Sequence, residues 1–161
     1  MEFIKTYFNA EKSESLIFMA IGIVTISFSV YTLIRWSEPF HKGIALPLVA
    51  IGLIQIVVGG SVYFRTDHQV RELESLYQRE VQAYQSKEIP RMENVMKNFS
   101  AYKKVEIAFV VVGLVLLIFC SSKEFWLGLG VGMLLQGSLM LTADIFAERR
   151  GVVYIDQVRN L

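Results

Sequence analysis

The chain has 161 residues, of which 53% are hydrophobic, and its formal net charge is only +1. A soluble domain of this length rarely carries so much apolar side chain, and the near-neutral charge provides no basic field to attract nucleic acid. The composition therefore predicts an integral membrane protein. Its expected partners are the lipid bilayer and another protein, further copies of the chain in a homo-oligomer, or both, with no nucleic acid among them.

Residues 1 to 12 carry their apolar side chains at helical spacing. Phe3, Ile4, Tyr7 and Phe8 fall on one side of a short helix. An apolar stripe of this kind predicts a helix that lies at the membrane surface. A frayed terminus fits the same residues and remains an alternative.

Four apolar runs are long enough to cross a bilayer as helices of about 20 residues each. They are Leu16 to Ile34, Ile44 to Phe64, Val105 to Ser122, and a run from Phe125 to about Ala143. Short polar turns join the first run to the second and the third to the fourth. The sequence therefore predicts four transmembrane helices in two hairpins, with the chain divided into 1–64, 65–104, 105–146 and 147–161.

The segment 65–104 is the only long polar stretch between the spans. Its apolar residues recur at near-heptad spacing on each side of Pro90, which predicts two amphipathic helices. We expect the chain to turn at residues 85–88, with Pro90 close to the start of the second helix. Helices 2 and 3 would then extend from the membrane as an antiparallel hairpin. The expected seam between its arms consists of Leu73, Tyr77 and Val81 facing Met92, Met96 and Phe99.

The distribution of basic residues predicts the orientation. Every lysine and arginine except Arg35, Lys42 and Lys123 lies in the N-terminal segment, in 65–104 or in the amphipathic tail 147–161. Positive charge favours the cytoplasmic side, so we expect both termini and the helical hairpin to be cytoplasmic. The small size and compact turns favour the plasma membrane of a bacterium, that is, its inner membrane.

Three polar residues lie within the predicted spans. Gln55 and Gln136 are at mid-depth, and Asp144 is near the inner end of the fourth span. An ionisable or polar group in this position is a functional hypothesis by default. The structural alternative is that the two amides bond to each other and lock the helices together.

Charged residues cluster where the spans meet the polar segment. Arg65, Lys103 and Lys104 are placed to touch anionic headgroups, and Glu106 lies at the polar end of the third span. For Asp144, we expect an ion pair with a base at the same depth. The candidates are Arg65, Lys104 and Arg149.

The two halves of the chain show a weak internal repeat. The stretch GLIQIVVGGS in the second span resembles GMLLQGS in the fourth, and both contain the mid-depth glutamine. A genuine duplication would relate the halves by an axis along the membrane normal. Chance matching of short apolar segments is the alternative.

Motifs of catalysis or metal binding are absent from the sequence. There is no CxxC, HExxH, P-loop or GxSxG pattern, and His41 and His68 fall on opposite sides of the membrane in the predicted topology. The glycine-rich stretch LGLGVG lies inside a span, where it indicates close helix packing. No cofactor or metal ligand set is therefore expected, and no known family is identified from these residues.

Three classes of function are compatible with these sequence features. The favoured class is a non-enzymatic binding or regulatory membrane protein, such as a complex subunit or an immunity-type protein, that acts through its cytoplasmic helical hairpin. The alternative is an oligomeric channel or transporter lined by Gln55 and Gln136. A membrane-embedded enzyme is the third class, and it lacks convergent acid, base or metal ligands.

Overall fold

The computed structural model describes all 161 residues and contains four α-helices and no strand. The helices are α1 (Glu2–Arg35), α2 (Pro39–Arg79), α3 (Val81–Phe119) and α4 (Glu124–Arg159). The predicted all-α fold is confirmed. Helices α1, α2 and α4 are long and apolar enough to cross a membrane, which supports the expected class of helical membrane protein.

Helix α3 differs from the other three in the length of its apolar part. The run predicted as Val105 to Ser122 ends as helix at Phe119, and Lys103 and Lys104 come directly before it. That leaves about 15 apolar helical residues, or roughly 22 Å, against a hydrocarbon thickness of about 30 Å. Three helices therefore qualify as spans by length and composition, and the fourth crossing remains a prediction.

Both chain termini continue the neighbouring helices. The sequence predicts a separate surface helix over residues 1 to 12, but α1 is continuous from Glu2, because no glycine or proline precedes Leu16 to break it. Ile4 and Phe8 are fully buried within the protein. In the same way, the tail 147–161 continues α4 as far as Arg159, with Gly151 inside the helix.

The turn between α2 and α3 lies at Glu80, and the expectation of a turn at residues 85–88 is wrong. Glu80 is extended, with φ −157 and ψ 110, and it caps both helices. Residues 85–88 contain polar side chains but no obligate helix breaker, and both Tyr84, which precedes them, and Glu88, the last of them, are buried. Pro90 therefore lies in the interior of α3, where it lacks the N–H for one backbone hydrogen bond and its ring crowds the carbonyl group four residues earlier.

The helices pack in the order α1, α2, α4, α3. Extensive contacts join α1 to α2, α2 to α4, and α3 to α4, whereas α1 with α4 and α2 with α3 touch only sparsely. Helices α2 and α4 therefore form the centre, and α1 and α3 lie on opposite flanks. We call the part formed by residues 1–14, 65–104 and 147–161 the polar end, and the remainder the apolar half.

Glycines set the helix spacing in the apolar half. A Cβ atom added to Gly43 would overlap the carbonyl oxygen of Phe125, and one added to Gly128 would overlap that of Phe40. The two glycines thus form a reciprocal contact between α2 and α4. Such close backbone approach is how helices gain packing contacts in lipid, where burial from water provides no driving force.

The polar end contains the hydrophobic core. Its nine buried members come from all four helices and pack into one cluster, which we call the polar-end core. They are Ile4, Tyr7, Phe8, Leu73, Tyr84, Met92, Tyr154, Ile155 and Val158. The expected seam between two arms alone is not formed, because α2 and α3 contact each other only sparsely and the ends of α1 and α4 cover their apolar faces.

Candidate functional site

The expected seam residues have unequal roles in the polar-end core. Leu73 and Met92 are buried in it, and Tyr77 and Met96 pack against it from its edge. Val81 is the first residue of α3 and is 37% exposed. Phe99 is half-buried and lies outside the cluster.

A buried polar network crosses the polar-end core. Glu88 is fully buried and accepts two hydrogen bonds from the guanidinium of Arg91, at 2.7 and 2.6 Å. The Tyr154 hydroxyl donates to Glu88 at 2.9 Å, and the Tyr84 and Tyr154 hydroxyls lie 2.8 Å apart. Since Tyr154 uses its proton on Glu88, Tyr84 donates to the oxygen of Tyr154.

Titration of this network is shifted by its surroundings. Burial raises the pKa of Tyr84 to about 12 and also raises the pKa values of Tyr7 and Tyr154. Burial alone would lower the pKa of Arg91, but its hydrogen bonds to the Glu88 carboxylate, together with the negative charge of Glu88 and of the other acidic groups nearby, outweigh burial and raise it. The three tyrosines and Arg91 therefore keep their protons across the physiological pH range.

Aromatic rings enclose the network on the α1 side. Tyr7 stacks on Tyr154 with ring centroids 4.2 Å apart, and Phe8 meets Tyr154 edge-on at 5.8 Å. The Arg91 guanidinium lies over the Phe8 ring at 5.4 Å. Sequence reasoning missed this arrangement because it placed Glu88 in a turn. The spacing of Tyr84, Glu88 and Met92, four residues apart on one helical face, is the signal that would have revealed it.

The mid-depth glutamines meet between the two central helices. Gln55 Nε2 donates to Gln136 Oε1 at 3.2 Å, and both side chains are buried. Gln55 Oε1 and Gln136 Nε2 have no hydrogen-bond partner in the protein. The pair therefore makes one bond where two amides are capable of two.

The charged residues where the spans meet the polar end form ion pairs other than the expected one with Asp144. Arg65 pairs with Glu11 of α1 at 3.6 Å, Lys103 pairs with Glu148, and the exposed Lys104 and Arg149 form no ion pair. The expected ion pair of Asp144 with one of these bases is thus not formed. Asp144 instead faces the carboxyl group of Glu106 on α3.

A groove separates α1 from α4 at the polar end. It consists of two adjoining hollows of about 540 Å³ each, and both are lined by Phe3, Val153 and Gln157. Arg149 and Arg150 lie at the end towards the apolar half, and Leu161 lies at the far end. Val153 is 59% exposed and Leu161 is 47% exposed. The groove therefore presents apolar side chains outside the predicted spans.

The arrangement offers no metal site, since no three His, Cys, Asp or Glu side chains are placed to hold an ion. His41 stacks on Trp36 near the start of α2, far along that helix from His68. Comparison with protein families, with characterised proteins and with solved structures finds no match to this chain.

Proposed function

We propose that the chain is a non-enzymatic membrane protein that binds a partner protein through the α1–α4 groove of its polar end. The single observation that carries this proposal is the exposed apolar lining of that groove. An apolar surface outside the lipid is costly in water, and in a soluble region it commonly marks an interaction site. Val153 and Leu161 supply that surface, and Arg149 supplies an unpaired charge at its rim.

In the proposed topology all four helices cross the membrane as two hairpins, and the polar end lies in the cytoplasm. Large apolar side chains project from the outer faces of the apolar half, with Ile34 80%, Phe64 79% and Phe119 77% exposed. Helix α3 takes part in this surface through Val111, Leu114 and Ile118. A surface of this kind requires lipid around it, which supports a fourth crossing by α3. The bacterial inner membrane is the proposed location.

Thiol labelling in intact cells tests this topology. In a Cys120→Ser background, a cysteine at Ser37 or Ser122 should react with a membrane-impermeant maleimide. A cysteine at Ser86 should react only after the membrane is opened. Labelling of Ser86→Cys alone in intact cells would reverse the proposed orientation.

Site-specific photocrosslinking tests the groove. We expect a crosslinker at Val153 to capture one discrete partner from native membranes. A crosslinker at the neighbouring Gln157 should capture the same partner, and Val153→Glu should abolish that second adduct. Tyr102, 55% exposed on α3 and outside the groove, is the matched control for both probe and substitution. Equal crosslinking from Tyr102, or no loss of the adduct in Val153→Glu, would contradict the proposal.

The alternative function is an oligomeric channel lined by Gln55 and Gln136. It rests on the two amide atoms that lack partners in the protein. The hydrogen bond between the two side chains, within the packed contact of α2 and α4, favours a structural role for them. Ion or solute flux in proteoliposomes separates the two proposals, because only a channel predicts flux that Gln55→Leu abolishes.

A further inference from the structure

The junction between the apolar half and the polar end contains a carboxyl group without a hydrogen-bond donor. Glu106 of α3 is only 4% exposed, and neither of its carboxyl oxygens has a partner in the protein. The α3 backbone is close to α4 here, since a Cβ atom added to Gly137 would lie 3.3 Å from the Glu106 carbonyl oxygen. The side chain is therefore enclosed by the contact of these two helices.

The charged groups around Glu106 do not compensate a negative charge on it. The group facing it from α4 is Asp144, which is also acidic. Lys103, one turn earlier on α3, is engaged in its ion pair with Glu148 of α4. An ionised Glu106 would thus be a desolvated anion beside a second carboxylate, an arrangement that costs several kcal/mol in proteins.

We propose that Glu106 and Asp144 form a proton-binding site that holds one proton between the two carboxyl groups at neutral pH. A single shared proton lets one carboxyl donate a hydrogen bond to the other and removes one of two adjacent negative charges. A divalent metal ion needs about six or more oxygen ligands, and no third acidic or histidine side chain is placed to complete such a set.

The site has a mechanical consequence because its two members belong to different helices. Removal of the proton places two like charges between α3 and α4, at the level where the lipid-facing part of α3 joins the polar end. We expect deprotonation to loosen this helix contact. The site is separate from the α1–α4 groove, which is built from other residues.

Modification with dicyclohexylcarbodiimide tests the site, because this apolar reagent reacts with protonated, buried carboxyl groups. The purified full-length protein in lipid nanodiscs would be treated from about pH 6 to about pH 9 and mapped by mass spectrometry. We expect one adduct per chain, on Glu106 or Asp144, falling about tenfold per pH unit above the midpoint. Asp67, whose side chain is 60% exposed and paired with Lys12, is the control and should stay unmodified.

Two labelling outcomes would overturn the proposal. One is the absence of any adduct on Glu106 and Asp144 at the acidic end of the series. The other is suppression of labelling by sodium at constant pH, which would assign the site to a metal cation. Glu106→Gln adds a test that does not depend on the reagent, since an amide imitates the protonated acid.

We expect the melting temperature of the wild-type protein to fall as pH rises through the deprotonation midpoint. Glu106→Gln should lose that fall, and Asp67→Asn should retain it. A Glu106→Gln protein that is destabilised equally at every pH would show that Glu106 functions as a charged group, and would overturn the proposal.

Discussion

The apolar half and the polar end of this molecule hold the same four helices together by different means. In the apolar half, glycines bring backbones into contact, as at Gly43 with Gly128, and one amide hydrogen bond joins the central helices. At the polar end, large aromatic side chains fill the interior around the buried ion pair of Glu88 and Arg91. The small residues and the large ones are thus separated along the helices.

The difference follows from the solvent around each region. Burial of a tyrosine or phenylalanine removes a large apolar area from water, at roughly 25 cal/mol per Å². In lipid this gain disappears, and close van der Waals contact becomes the main source of attraction. A helix that passes through both environments therefore changes its contact residues along its length, as α4 does from Gly128 to Tyr154.

The largest expected effect comes from adding a methyl group at the glycine contact of the apolar half. Gly128→Ala places a Cβ atom against the Phe40 carbonyl oxygen, which belongs to the backbone and cannot rotate away. We expect the loss of unfolding free energy to exceed the roughly 1 to 3 kcal/mol that is usual for overpacking, because the backbones of two helices must move apart. Gly60→Ala is the matched control, because nothing lies within 4 Å of its added Cβ.

Unfolding of both variants in mixed micelles measures the difference. Gly60→Ala should be neutral or stabilising by up to about 1 kcal/mol, from helix propensity alone. If the two alanine variants behaved alike, the close approach of α2 and α4 would not be a source of stability in lipid.

The second effect concerns the buried ion pair of the polar end. Glu88→Ala leaves the Arg91 guanidinium and the Tyr154 hydroxyl without their acceptor, and we expect it to cost about 3 to 5 kcal/mol. The control is Glu93→Ala on the same helix, whose partner Arg159 is 2.8 Å away on the surface. That exposed pair should contribute less than about 1 kcal/mol.

A double-mutant cycle sharpens this measurement. Replacing Glu88 by Leu together with Arg91 by Met removes both charges from the polar-end core, so the loss should be smaller than the sum of the losses for Glu88→Leu and Arg91→Met alone. A strictly additive result in chemical unfolding would mean that the two side chains do not stabilise each other.

The third effect is a loss of stability in alkali that is specific to the polar end. The pKa of Tyr84 is raised from 10 to about 12 in the folded protein. The folded state therefore retains a proton that the unfolded state releases, and stability falls as pH rises above about 10. Each such tyrosine contributes a slope of about 1.4 kcal/mol per pH unit between its two pKa values.

Melting curves between pH 9 and pH 12 check this prediction. Tyr84→Phe should show a shallower decline than the wild-type protein, because it has no proton to release. Tyr102→Phe, at a 55% exposed tyrosine, should decline like the wild type. Parallel curves for all three proteins would place the alkaline transition elsewhere, for example in the lysine ion pairs.

These contrasts also explain what the sequence was able to predict. Helix content and apolar runs depend on residue type and spacing within one segment, so the four helices and three of the candidate spans could be predicted from the sequence. The Gln55–Gln136 contact could be predicted as one of two alternatives, because an amide in an apolar run needs a partner. The boundaries of α1 and α4 could not be predicted, because an amphipathic stripe has the same sequence pattern whether it packs against lipid or against another helix.

The errors at the polar end have one common cause, which is tertiary packing. The turn at Glu80 has no glycine or proline signal, and it is fixed by Leu73 and Tyr84 entering the same core from α2 and α3. Placing the turn at residues 85–88 put Glu88 in a loop and concealed its ion pair. Asp144 was expected beside a base because charges were counted along the chain, whereas the fold brings Glu106 opposite it.

The smallest expected effect concerns the amide pair in the apolar half. Gln55 donates one hydrogen bond to Gln136, and interhelical bonds of this kind contribute about 0.6 kcal/mol on average and up to about 1.7 kcal/mol. Gln136→Leu should cost about that much in micelle unfolding. Gln55→Leu should cost a similar amount, because it removes the same single hydrogen bond and also leaves one amide without a partner.

The double variant Gln55→Leu/Gln136→Leu decides whether the pair is a bond or two independent groups. If the amides stabilise each other, removing both also removes the partnerless oxygen and nitrogen that each single variant leaves in a dry interior. The double loss should then be smaller than the sum of the single losses by about 1 kcal/mol. Additive losses would mean that each glutamine is satisfied elsewhere, by water or by a second copy of the chain. The comparison of the two regions would then change, because a polar contact in the lipid-facing half would depend on assembly and not on the packing of α2 against α4.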